Sequence, residues 1–311
     1  MTLRTPLLTD VQPLFSSRSQ RLMGYAAALG MVLIWSSYFL SLRHGALSPI
    51  GQLDMTLFRY AVPGLVLLPL LIQRWSTLRR VHPVWLAGMV LGAGLPFFLL
   101  GAFGMAWAPV AQGSTLIPGT APLFVTLLAV AVFRQPLSPW RRLGLCAVLA
   151  GVLCLLWGGQ DEGGALGRGQ ALFLVCSLLW ALFTVSMRQS GLSALEAAAV
   201  VTVPNGALAV LYLLATATPL TLGSVSGDEW LLQLLVQGVA VGLGSSFLYG
   251  FAIRQLGAEI TSSIGSLTPV CATLMAWLLL QESIAAATAL GMALVSLGVV
   301  FASGLLQRRE G

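Results

Sequence analysis

Residues 120–152 read TAPLFVTLLAVAVFRQPLSPWRRLGLCAVLAGV, and residues 267–299 read LTPVCATLMAWLLLQESIAAATALGMALVSLGV. At a constant offset of 147, Pro122 returns as Pro269, Thr126 and Leu127 as Thr273 and Leu274, and Ala129 as Ala276. Leu143 and Gly144 return as Leu290 and Gly291, and Gly151 and Val152 as Gly298 and Val299. Nearer the start of each half the offset is 145, and there Leu33, Trp35, Ser41, Arg43 and Ser48 come back as Leu178, Trp180, Ser186, Arg188 and Ser193. The slip is absorbed in the loops, so the chain is a doubled unit of roughly 145 residues.

Composition says where such a unit lives. Hydrophobic residues make up 57% of the 311 positions and charged residues 8%, at a mean hydropathy of +0.90. A chain this apolar cannot stay dissolved as a globule. About 20 apolar residues span a bilayer core, and such stretches fall near 22–42, 53–72, 84–106, 110–133, 140–158, 169–188, 195–215, 229–252, 257–280 and 285–306. The expected fold is therefore an all-α membrane protein of ten transmembrane helices. Residues 1–21 form an N-terminal tail, 22–158 the first repeat, 159–168 a Gly-rich linker, 169–306 the second repeat and 307–311 a C-terminal tail.

Every basic residue is an arginine, and arginines of short loops stay on the cytoplasmic side. Placing both termini in the cytoplasm puts all of them inside except Arg43 and Arg168, with Arg59 falling within a helix. The net charge of +6 is then a record of threading, and with the arginines dispersed along membrane boundaries no nucleic-acid partner is expected. Five spans per half force the second copy to enter from the opposite face, so the repeats are inverted. The absence of lysine beside 16 basic residues suggests a GC-rich bacterial genome and hence the inner membrane. Cys146, Cys154, Cys176 and Cys271 lie in spans and read as small packing residues.

Prolines interrupt several spans, and each frees a carbonyl that protein or water must satisfy. Pro118 and Pro122 in the fourth span and Pro269 in the ninth lie at matching depths. Helix breaks at corresponding positions of two halves point to a solute site at mid-membrane, with Pro122 and Pro269 as hinges.

At these residues the chain resembles the EamA-type family of the drug/metabolite transporter superfamily. The resemblance is carried by Ile34-Trp35-Ser36-Ser37, by Phe58-Arg59-Tyr60, and by the paired endings, Thr120-Ala121-Pro122 through Phe133-Arg134-Gln135-Pro136-Leu137 and Leu267-Thr268-Pro269 through Leu280-Gln281-Glu282-Ser283-Ile284. Where the family carries Glu, the first copy has Gln135. The resemblance implies a ten-helix inverted-repeat exporter of amino acids or other small metabolites. It also implies a central cavity lined mainly by helices 3, 4, 8 and 9, with helices 1 and 6 contributing.

The residues themselves suggest where a solute would sit. Gln112, Thr115 and Gly119 share one face of the fourth helix, and Glu259, Ser262 and Ser266 are their offset partners on the ninth. The alternative role for such stripes is interhelical hydrogen bonding. Trp35 and Trp180 occupy matching mid-depth positions, and Tyr249 is a polar aromatic in the eighth helix. Arg59 lies roughly 9 Å below the surface at 1.5 Å per residue, a depth at which charge is functional by default, and Asp54 is its nearest acid in sequence. Coupling to protons would have to use Glu259 or Asp54; otherwise the protein is a facilitator.

No paired acids, His cluster or Ser/His arrangement lies in the spans, so neither enzyme activity, metal nor cofactor is expected. The expected partners are the lipid bilayer and a small-molecule substrate, with the chain acting as a monomer or homodimer. The competing reading is a non-transporting scaffold or lipid-handling membrane protein.

Overall fold

The computed structural model describes residues 18–134, 137–157 and 164–302, with the side chains of residues 18, 132, 133, 222, 258 and 259 outside the description. Among the described residues the elements that cross the molecule are all helical. They are α1 (Arg18–Leu47), α2 (Gln52–Gln73), α3 (Pro83–Gly92 continued by Leu95–Trp107), α4 (Val110–Phe133) and α5 (Pro139–Trp157). The second five are α6 (Ala165–Ser190), α7 (Ala194–Thr216), α8 (Gly227–Leu256), α9 (Ala258–Gly265 continued by Thr268–Leu279) and α10 (Ala286–Ala302). Nine of these spans are long and apolar enough to cross a bilayer, and α10 is a shorter apolar helix. We call the face where α1 begins and α10 ends the terminal face, and the opposite one the distal face.

Bilayer solvation explains the surface. Leu65, Leu214, Leu278, Leu279 and Trp157 stand exposed, whereas Gln112, Gln170, Gln233, Gln237 and Asn205 are buried. In lipid the polar side chains turn inward to find partners and the apolar ones face the hydrocarbon.

The two halves are related by a contact that exchanges its partners. A Cβ added at Gly144 on α5 would meet the Gly298 carbonyl oxygen of α10 at 2.6 Å, and one added at Gly298 would meet the Gly144 carbonyl at 2.7 Å. The repeat-related pair behaves alike, with Gly151 meeting the Gly291 oxygen at 2.7 Å and Gly291 meeting the Gly151 oxygen at 2.9 Å. Since 144 maps to 291 and 151 to 298, the pseudo-two-fold axis passes through this α5/α10 contact. Arg134 and Gln281, also related by the 147 offset, both adopt positive φ, 51° and 56°, just beyond α4 and α9.

Interruptions within spans are stitched from neighbouring helices. Between the segments of α3, Asn205 of α7 accepts from Leu95 N at 2.8 Å and donates through Nδ2 to the Val90 carbonyl at 3.2 Å. Tyr60 Oη donates to the Ala93 carbonyl at 2.9 Å. Backbone groups that leave a helical ladder at membrane depth must be satisfied in this way. Asn205 is thereby accounted for as a structural side chain.

Candidate functional site

Near mid-depth and toward the terminal face lies a cavity of ≈ 150 Å³, bordered by α1, α4, α8, α9 and α10. Of the residues singled out from sequence, Trp35, Gly119, Tyr249, Ser262, Ser266 and Pro269 border it. Reasoning from sequence passed over Met31, Gly265 and the α10 group Val295, Ser296 and Val299. Ser296, which with Thr288 is one of two hydroxyl residues in a largely apolar helix, was the available signal. Of the matched interruptions expected from sequence, only that in α9 is present, at Ser266 and Leu267 between Gly265 and Thr268, whereas α4 runs unbroken from Val110 to Phe133 with Pro118 and Pro122 inside it. Trp35 and Tyr249 face each other at 5.8 Å between ring centroids.

The walls reflect the duplication only in part. Pro118 and Gly265, and Gly119 and Ser266, are offset partners and all border the cavity. Trp180, the counterpart of Trp35, instead packs with Phe97 at 5.5 Å and Phe183 at 5.0 Å. The expectation that α3 and α6 line the cavity is thus corrected, because α6 is packed tightly along α3. Backbone atoms of α6 lie 2.5 and 2.6 Å from a Cβ added at Gly92. α10 takes part in the wall instead.

Thr115 and Gln112 lie one and two turns from Gly119 toward the distal face, and neither borders the cavity. Gln112 donates to Thr288 Oγ1 at 3.3 Å and accepts from Gln170 Nε2 at 3.2 Å, linking α4 to α10 and α6. Thr115 is fully buried, and its hydroxyl has no partner among the described residues.

Arg59 and Asp54, its nearest acid in sequence, do not pair. Five helical residues rotate side chains by about 140°, onto different faces. Arg59 sits in a π-helical turn with its guanidinium 5.7 Å from the Tyr38 ring centroid and 5.4 Å from that of Tyr60. Asp54 Oδ2 accepts from Thr221 N at 3.1 Å and from Thr221 Oγ1 at 3.0 Å, pinning the α7–α8 connection. Glu259 opens the first segment of α9, and its side chain lies outside the described residues.

Asp54→Ala is expected to lower stability by about 1.5–3 kcal/mol, the usual worth of hydrogen bonds to a charged group. Thermal unfolding in detergent measures this. Because Asp54 is remote from the cavity, any dependence of the protein's activity on a pH gradient should survive Asp54→Asn.

Polar contacts that sequence reasoning missed cross the distal face. Arg43 Nε donates to Glu282 Oε1 at 2.8 Å, its Nη1 donates to the Met105 carbonyl, and Glu282 Oε2 accepts from Val110 N at 2.8 Å. Four elements meet there: the end of α1, the end of α3, the start of α4 and the α9–α10 connection. A second group ties α1 to α8: His44 Nε2 lies 2.6 Å from Glu229 Oε2, Ser41 Oγ donates to Gln233 Oε1 at 2.5 Å, and Gln237 Nε2 donates to Ser41 Oγ at 2.9 Å. On the terminal face the ion pair among the described residues is Arg74–Glu196 at 3.4 Å, which joins α2 to α7 away from the cavity wall.

Comparison with known proteins gives a consistent picture. A family model described as "EamA-like transporter family" matches residues 22–157 and again 167–304. The chain is 27% identical over 268 residues to the uncharacterized inner membrane transporter YedA of Escherichia coli K12, covering 81% of each chain. It is 25% identical over 305 residues to the aromatic amino acid exporter YddG of Ancylobacter novellus, covering 94% of this chain and 100% of the relative. One crystal structure matches with a TM-score of 0.59 at 24% identity, covering 94% of this chain and 100% of that one, which supports the fold.

Proposed function

The chain belongs to the EamA-like transporter family, whose model matches both of its halves, and from that premise we propose that it is an inner-membrane secondary exporter of small metabolites without net charge, amino acids foremost. Membership makes it a multi-pass membrane transporter rather than an enzyme. The finer reading rests on the cavity, whose walls straddle the axis relating the repeats and, among the described residues, carry no Asp, Glu, Lys, Arg or His. A charged solute entering uncharged walls at membrane depth would lose its hydration without compensation. A zwitterion or neutral molecule with an apolar part is accommodated by hydroxyls, backbone and the Trp35–Tyr249 pair. The relatives' names, an inner membrane transporter and an amino acid exporter, agree with this reading.

In this reading the terminal face is cytoplasmic, and the structure is the state closed to the far side by Arg43 and Glu282. The stripe from Gly119 through Thr115 to Gln112 continues the path toward the distal face. Rocking of the halves about Pro122 and Pro269 would open that stretch and close the terminal side, moving Trp180 toward the role Trp35 holds here.

Metabolite profiling of medium from cells with and without the protein, followed by efflux from proteoliposomes of any solute found, tests the proposal. A chain that changes no extracellular metabolite and moves none of the neutral amino acids in liposomes is not such an exporter. The two tryptophans give a sharper check. Trp35→Ala is expected to lower efflux about three- to tenfold at unchanged protein yield, by losing an aromatic contact with the solute. Trp180→Ala should instead lower the melting temperature, since that ring fills a gap between Phe97 and Phe183.

A further inference from the structure

Two of the residues bordering the cavity carry carbonyls deprived of their helical donors. The carbonyl of Pro118 would accept from residue 122 and that of Gly265 from residue 269, but both of those are prolines and have no N–H. The two positions are offset partners, so the duplication brings to one cavity a residue from each half whose carbonyl has lost its i+4 donor. Gly265 has no side chain and therefore borders the space with its backbone. It also ends the first segment of α9, where helix carbonyls concentrate negative partial charge. Ser266 Oγ donates to the Ser263 carbonyl at 2.7 Å, which leaves its lone pairs free to accept. On the facing wall Ser296 Oγ is buried with no protein partner among the described residues.

We propose that the Pro118 and Gly265 carbonyls, with Ser266 Oγ, form the subsite that holds the ammonium group of the solute. This rests on the exporter reading and narrows its substrate class to zwitterions that bear a primary ammonium, α-amino acids above all. An ammonium offers three donors and no acceptor, and among the described residues bordering this cavity there is no Lys or Arg to compete for those acceptors. Ser296 Oγ is the complementary donor for a carboxylate. Pro122 and Pro269 then act as more than hinges: by lacking an N–H they keep two acceptors unpaired, and uncharged acceptors let the zwitterion enter and leave without a fixed charge holding it.

The test is equilibrium binding to purified protein in nanodiscs, with leucine, its decarboxylated amine 3-methylbutylamine, and its deaminated acid 4-methylpentanoate as probes. Leucine and the amine are expected to bind at least tenfold more tightly than the acid. Pro269→Ala and Pro122→Ala each supply an N–H to a bare carbonyl and should weaken amine binding about tenfold, narrowing that preference. An ester-forming α-hydroxy analogue of alanine at 269 removes the ring but still has no N–H, so it should retain the preference and separate the carbonyl from the kink. Equal binding of leucine and 4-methylpentanoate, no binding of either amine, or an undiminished preference in Pro269→Ala overturns the subsite. So does leucine binding that requires sodium and loses that requirement in Pro269→Ala, because the carbonyls would then serve a metal ion. Efflux is scored separately: protein that binds the amines but moves no solute keeps the subsite and loses the exporter reading, and protein that moves solutes lacking an amine equally well loses the subsite alone.

Discussion

Gly144→Val and Gly298→Val each abolish recovery of folded protein, whereas Gly167→Val leaves yield and melting temperature nearly unchanged. At Gly144 even a single methyl would sit 2.5 Å from Ala302 N and 2.6 Å from the Gly298 carbonyl. At Gly298 it would sit 2.7 Å from both the Gly144 carbonyl and Val148 N. These neighbours are backbone atoms of a facing helix and have no rotamer by which to withdraw. Overpacking a tight site with flexible neighbours costs about 1–3 kcal/mol, and here the helices themselves must part. The loss matters because dispersion and close backbone approach, rather than hydrophobic exclusion, hold helices together in lipid. Gly167 on α6 has nothing within 4 Å of an added Cβ, so Gly167→Ala should if anything stabilise the helix by up to about 1 kcal/mol. Monodisperse yield in detergent and the melting temperature report the contrast. If Gly298→Val folded as well as Gly167→Val, the α5/α10 contact would not be the axis on which the halves are joined.

The four glycines of that contact were legible in the sequence as a repeat, though not that they meet, and the reason for their recurrence is physical. Gly144, Gly151, Gly291 and Gly298 stand at one offset because inverted copies meeting across a dyad must each supply the same small surface. The span count was equally readable, since bilayer thickness fixes the length of every helix regardless of its neighbours. The site was read less completely. A polar stripe such as Gln112, Thr115 and Gly119 says which side chains share a helix face, but not which part of that face meets a neighbour. Packing decides that Gly119 borders a cavity while Gln112, two turns away, is taken up by Thr288 and Gln170. The equivalent residues Trp35 and Trp180 carry no sequence mark telling which is exposed to the cavity, because a transporter at rest breaks its own symmetry. Arg43 and Glu282 are 239 residues apart, and each alone resembled an ordinary loop charge.

Glu282→Ala shifts the protein toward a state open at the distal face, by a factor of about ten or more. The carboxylate has one oxygen on Arg43 Nε and the other on Val110 N at the start of α4, where helix N–H groups favour a negative charge. Side-chain exposures of 17% for Arg43 and 14% for Glu282 leave the pair only partly screened by water. Hydrogen bonds to charged groups contribute about 1.5–3 kcal/mol, and 2 kcal/mol lost from one side of a two-state equilibrium changes it about thirtyfold. Unfolding is not the expected outcome, because Ser41, His44, Gln233 and Gln237 continue to tie α1 to α8. Thr115→Cys, introduced after Cys146, Cys154, Cys176 and Cys271 are replaced, provides the readout, since Thr115 lies fully buried beneath the closure. An impermeant thiol reagent applied to the distal side should label it at least tenfold faster when Glu282 is alanine. Glu282→Gln should fall between, retaining an acceptor for Val110 N but losing the charge that holds Arg43. In sequence the counterpart of Glu282 is Gln135, which lies outside the described residues, so at that position the first repeat carries no carboxylate with which to hold Arg188. That inequality predicts that the unloaded protein rests closed at the distal face and that Gln135→Glu moves the balance back, slowing distal labelling of Thr115→Cys. Labelling rates unaffected by either substitution would show that Arg43 and Glu282 are a static surface pair and that the closure is held elsewhere.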